Sequence, residues 1–118
     1  MLDREQLLAC CGAKPGAVAE QPFGPGVAVY KAGGRMFALV TLDGAPEISL
    51  KCDPDDALEL RAVYDAVRPG YHLNKRHWNT VTVDGSIPDD EVIEMIDRSY
   101  GLVVAALPRR VRDGLGRA

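Results

Sequence analysis

The sequence predicts an α+β fold, an antiparallel β-sheet with helices packed on it in the order α-β(several)-α-β-α. Three observations carry this expectation. Between Val27 and Cys52 the apolar period is two, and the strands are joined by Gly33-Gly34 and Asp43-Gly44, turns too short for a parallel crossover. On either side lie segments with acids, and in two cases proline, at their starts and apolar residues at helical spacing. Strand and helix do not alternate regularly, as a parallel sheet would require.

Element by element, Asp3 followed by Gln6 is a capping-box pattern, with Leu2 and Leu7 placed as a hydrophobic staple, so a helix is expected from Arg4 to Cys11 and ends at Gly12. Val18 to Gln21 reads as a short strand that Pro22 and Pro25 confine to an edge or convert to a loop. Val27 to Lys31 alternates, and Arg35 to Leu42 is apolar on both faces, as befits a central strand. Glu47 to Cys52 alternates with Ile48, Leu50 and Cys52 inward. Asp53-Pro54-Asp55-Asp56 opens a second helix, expected to run to Val67 on a stripe of Leu60, Val63, Tyr64 and Val67, and to stop at Arg68-Pro69-Gly70. Asn79 to Val83 is the next strand. Pro88 to Leu107 is the last long helix, with Val92, Ile93, Ile96, Tyr100, Val103 and Leu107 inward and Gly101 as a weak point. The chain is expected to be one domain, 1–118, whose basic segment 108–118 holds at most one more helical turn before fraying.

Composition narrows the function. The chain has 118 residues, 47% hydrophobic and 26% charged, without an apolar run of membrane length or a signal-peptide start, which predicts a cytoplasmic protein. Cys10, Cys11 and Cys52 form no paired ligand spacing and read as buried thiols. A net charge of −3 argues against strong non-specific binding of polyanions. The average conceals a pattern, however, because Asp53, Asp55, Asp56, Asp89, Asp90 and Glu91 cluster at helix starts, where carboxylates meet the positive end of the dipole. Without them two basic islands remain: Arg68, Lys75 and Arg76 beside His72 and His77, and Arg109, Arg110, Arg112 and Arg117.

The stretch Gly70 to Val83, GYHLNKRHWNTVTV, gathers both histidines and the single tryptophan with no acidic residue. Tyr71 and Leu73 are expected to point inward from a short strand, Asn74 to cap a turn through Lys75, Arg76 and His77, and Trp78 to reach the edge of the core. A solvated basic loop around a core tryptophan accounts for these residues as well as a site does. As a metal site the stretch offers only His72 and His77, at a spacing that is not a helical pair, and no cofactor is expected. No nucleophile beside a base and no carboxylate pair stands out, so the protein reads as non-enzymatic. Cations, amides, imidazoles and an aromatic within one loop do meet the needs of phosphate and nucleic-acid binding.

GYHLNKRHWNTV, with ISLKCDPDDALELR before it and IPDDEVIEMIDRSYGLVVAAL after it, resembles the MmcQ/YjbR family over nearly the whole chain. The resemblance implies a CyaY-like, frataxin-like fold and DNA binding through a double-wing motif. It carries over to Lys51, Tyr71, His72, Asn74, Lys75, His77, Trp78 and Asn79, and to Ser99 and Tyr100. The first helix offers only Asp3 and Glu5, so the iron binding of frataxin does not carry over. The leading expectation is a DNA-binding protein in which Lys75 and Arg76 contact phosphate, His72, Asn74 and Asn79 hydrogen-bond, and Trp78 holds the loop, with Lys51 and His77 also among the expected binding residues. The alternative is a small-molecule or protein-interaction module that uses the same loop as an anion-accepting pocket.

Overall fold

A computed structural model of the chain describes residues 1–71 and 73–115. The expectations attached to His72 and Arg117 therefore lie outside the described residues.

Helix α1 spans Arg4–Gly12 and begins as its sequence predicts. The Asp3 carboxylate accepts from the Gln6 N–H at 2.8 Å, the Gln6 side chain accepts from the Asp3 N–H at 2.9 Å, and Leu2 and Leu7 are both buried. There are six strands, β1 Val18–Glu20, β2 Val27–Ala32, β3 Arg35–Thr41, β4 Glu47–Lys51, β5 Val67–Pro69 and β6 Trp78–Thr82, of which β2 to β4 form the expected meander. They form one antiparallel sheet in the order β1-β2-β3-β4-β6-β5. Gly33 and Gly34, with φ of 58° and 81°, supply the left-handed pair that a tight β2–β3 hairpin needs.

Helix α2 spans Pro54–Val63, with the Asp53 side chain accepting from the Asp55 N–H and proline in its first turn. It is shorter than the sequence predicts. Val63 is 64% exposed, the buried position is Ala57, and Tyr64 is already extended at φ −119° and ψ 121°. Val67, expected to close the helical stripe, instead begins β5, which pairs with β6. Pro69 disfavours the helical conformation at Arg68, and pairing with β6 holds Val67 extended. An extended Val67-Arg68 then finds the open edge of β6, and a proline is tolerated on that outermost strand.

Helix α3, Asp89–Ala105, lies against β2, β3 and β4, and α4, Arg109–Gly114, follows Pro108. The buried face of α3 is Val92, Met95, Ile96, Ser99 and Val103, so the expected stripe is rotated and Ile93 is left exposed. Facing it, Tyr30 pairs with Ala38 but Lys31 with Met36, which makes Phe37 the extra residue of a bulge. The Phe37 side chain is fully buried and meets Tyr100 edge-on, with ring centroids 5.3 Å apart. Ser99 closes the gap opened there between β3 and β4. Its hydroxyl donates to the Phe37 carbonyl at 2.6 Å and accepts from the Lys51 N–H at 2.8 Å.

Candidate anion-binding cleft

The conspicuous loop, residues 70–77, is held by backbone and by one arginine. Gly70 donates its N–H to the Trp78 carbonyl at 2.8 Å, and a Cβ at Gly70 would fall 2.7 Å from the Trp78 Cβ, so only glycine fits the close approach. Asn74 caps the turn as expected, its side chain accepting from the Arg76 N–H at 3.0 Å while its carbonyl accepts from the His77 N–H at 3.2 Å. The Cys52 N–H donates to the His77 carbonyl at 2.7 Å, which ties the loop to the end of β4. From α2, Arg61 donates to the carbonyls of Lys75 and Trp78 and, at 2.7 Å, to the Asn79 side-chain oxygen.

These bonds distribute the expected site residues unevenly. Asn79 is buried, receives Arg61 and donates to the Ala57 carbonyl, so its amide serves the scaffold. Lys75 gives one proton to the Gly70 carbonyl at 3.0 Å. Arg76 is exposed and His77 half-buried. Tyr71, expected to point inward from a strand, is 71% exposed and lies in a turn. Its N–H donates to Thr80 Oγ1 at 3.1 Å, a side-chain acceptor on β6 and not a carbonyl of a sheet ladder.

Lys51 and Trp78 are partners in register, so alternation along β4 and β6 puts both on the face away from the helices. Where the bulge and Ser99 part β3 from β4, a cleft of about 250 Å³ opens, lined by Arg35, Met36, Lys51, Trp78, Val103 and Ala106. Trp78 itself is buried and closes one side of the cleft. Arg35 was not singled out by sequence. Its only signal is a cation next to the glycine turn, and its proximity to Lys51 depends on pairing that a linear reading does not supply.

The state of the cations sharpens the picture. Arg4 and Arg61 donate to carbonyls, while Lys14, Lys31, Arg68, Arg98 and Arg109 face carboxylates. Arg68, expected in the loop's basic island, is thus occupied by Glu47 and by Thr82. Among the described residues Arg35, Lys51, Arg76, Arg110 and Arg112 have neither a side-chain hydrogen bond nor an ion pair. Arg35 and Lys51 line the cleft, Arg76 is two residues from Trp78, and α4, which carries Arg110 and Arg112, starts just beyond Ala106.

The thiols lie elsewhere. Burial pushes the Cys11 thiol up to about 12 and raises Cys10 and Cys52 above the ordinary range, which leaves all three protonated and poor nucleophiles near neutrality. A second recess, of about 120 Å³ between the sheet, α2 and α3, includes Cys52, Glu91 and Arg98.

The chain belongs to the YjbR family, whose model matches residues 12–102. It is 40% identical over 108 residues to the uncharacterized protein YjbR of Escherichia coli K12, covering 91% of this chain and 92% of that one. It is 41% identical over 90 residues to the uncharacterized protein YbdF of Escherichia coli O157:H7, covering 75% and 74%. Among solved structures, a Deinococcus radiodurans protein with a DUF419 domain aligns with a TM-score of 0.89 at 36% identity, over 95% of this chain and 86% of that one. A Pseudomonas syringae protein aligns at 0.77 and 26% identity, over 86% and 99%.

Proposed function

We propose that this YjbR-family protein is a non-enzymatic, cytoplasmic DNA-binding protein that takes phosphate at the Arg35–Lys51–Trp78 cleft and at Arg76. The observation that carries the reading is the set of unpaired cations around one cleft on a chain whose other described cations are largely neutralised. Unsatisfied guanidinium and ammonium groups keep their full attraction for phosphate, whereas a cation already facing a carboxylate loses most of it. In this reading Lys75, Asn74 and Asn79 shape the loop, His77 serves as a donor, and Trp78 gives the cleft a rigid wall. A CyaY-type arrangement is the fold expectation that accompanies the proposal, since α1, α2 and α3 pack on one side of an antiparallel sheet.

The net charge of −3 implies modest affinity that declines steeply with salt. The test is binding of a labelled duplex at a series of salt concentrations, with the wild type and with Lys51→Ala/Arg76→Ala. Each lost phosphate contact lowers the slope of log K against log salt by about 0.9 on duplex DNA, so the double variant is expected to lose about two units. An unchanged slope removes these residues from the interface. If no DNA binds while inorganic phosphate raises the melting temperature of the wild type and not of the variant, the cleft is instead a site for a small anion.

A further inference from the structure

The face of the sheet away from the helices carries a third recess, separate from the cleft, a groove of about 670 Å³. Its walls come from two loops: Phe23 from the β1–β2 connection, 66% exposed, and Tyr71 and Leu73 from the loop before β6, Tyr71 being 71% exposed. Its floor includes Leu39 and the hydroxyl pair Ser49–Thr80, whose oxygens are 2.8 Å apart. Its charged members, Arg68 and Glu47, neutralise one another. Aromatic rings over an uncharged floor with hydroxyl groups suit a planar, neutral, hydrogen-bonding body and offer nothing to a second phosphate.

The groove adjoins the cleft on the same two strands. Ser49 and Thr80 are partners in register, as are Lys51 and Trp78, and the two pairs lie two residues apart along β4 and β6. That separation is about 7 Å at the rise of an antiparallel strand, within the reach of one nucleotide from its phosphate to its base. Resting on the phosphate-binding reading of the cleft, we propose that the nucleic acid is single-stranded: its phosphates lie at Lys51, Arg35 and Arg76, and a base enters the groove between Phe23 and Tyr71. A duplex keeps its bases paired and stacked, so it cannot deliver one to a recess flanked by rings, whereas an unpaired strand exposes each base face to stacking.

The test compares three probes at low salt by fluorescence anisotropy: a short thymidine oligonucleotide, an abasic oligonucleotide of equal length, and a duplex. Wild type and Phe23→Ala/Tyr71→Ala are titrated with each, and both rings are exposed enough to be removed without opening the core. The thymidine probe is expected to bind at least tenfold more tightly than the abasic one, because stacking on an aromatic ring is commonly worth about tenfold per base. The double variant is expected to bring the thymidine probe to the abasic level with its salt slope unchanged, and Phe23→Tyr/Tyr71→Phe, which keeps both rings, to retain tight binding. Equal affinity for thymidine and abasic probes, or a double variant that binds like the wild type, overturns the proposal while leaving the phosphate cleft standing. Failure of every probe to bind removes both.

Discussion

Ser99 shows how one hydroxyl can hold two strands apart and together at once. The bulge at Phe37 turns that large ring toward Tyr100, and the direct bond that the Lys51 N–H and the Phe37 carbonyl would otherwise form is replaced by a bridge through a fully buried serine. Ser99→Ala leaves a part-buried donor and a buried acceptor without partners, at about 1–3 kcal/mol each, so a loss of about 2–6 kcal/mol is expected in urea unfolding. A loss below 0.5 kcal/mol, the scale of an ordinary surface substitution, would mean that the strands close without the bridge. Cys11 gives a residue-scale effect of pH. Burial holds its thiol neutral up to about 12, above the ordinary thiol value of 9.0, so the folded state keeps a proton that the unfolded chain has released. Stability from this group is complete below pH 9 and falls as pH rises toward 12. Lysines and tyrosines titrate in the same window, so the informative quantity is a difference: the urea midpoint of Cys11→Ala should fall less steeply with pH than that of the wild type. Parallel pH profiles would show that the thiol titrates alike in both states.

At the scale of elements, what could be read in the sequence was whatever local chemistry dictates. The cap at Asp3, the acids and proline that open α2, and the glycine pair between β2 and β3 each act within a few residues, and each stands where its pattern implies. The end of α2 did not follow, because Val63 and Val67 fit a helical stripe equally well and the choice was made by Pro69 and by a vacant edge on β6, a strand still to come in the chain. The bulge at Phe37 and the cleft it opens were likewise hidden, since an apolar run reads the same with or without one extra residue. The loop of residues 70–77 could be recognised by its composition, but its division into scaffold groups, Asn79 and Arg61, and outward-facing ones, Arg76 and Tyr71, follows only from long-range contacts. The β2–β3 hairpin supplies a test of packing between elements. Gly33 and Gly34 both have positive φ, yet a Cβ at Gly33 would come within 2.6 Å of Leu107 and 2.9 Å of Val111, whereas one at Gly34 meets nothing within 4 Å. Gly34→Ala should therefore cost only the left-handed strain, about 1 kcal/mol, and Gly33→Ala more, because the Leu107 and Val111 methyls must give way as well. Equal melting temperatures for the two variants would indicate that α4 does not press on the hairpin in solution.

For the molecule as a whole, the arrangement separates holding from binding. The helices and the core lie on one face of the sheet, the groove opens on the other where β4 and β6 present Ser49 and Thr80, and the cleft lies at the ends of those strands, between Lys51 and Trp78 and the end of α3. Arg61, on α2, ties the helical layer to the loop: it reaches the carbonyls of Lys75 and Trp78 and the Asn79 oxygen, so the helix sets the height of the loop over the sheet. Lysine cannot reproduce this fork, because its ammonium is a single point on a flexible stem whereas the planar guanidinium addresses several oxygens at once. Arg61→Lys keeps the net charge and removes the geometry. If Arg61 acts by positioning, DNA affinity should fall by roughly tenfold, equivalent to ~1.4 kcal/mol. The slope of log K against log salt should stay at the wild-type value, since no phosphate contact has been removed. Trp78 emission in the free protein should shift to the red as the loop loosens and water reaches the ring. A reduced salt slope with unchanged Trp78 emission would identify Arg61 as a phosphate ligand itself, and the cleft would then have to be redrawn to include α2.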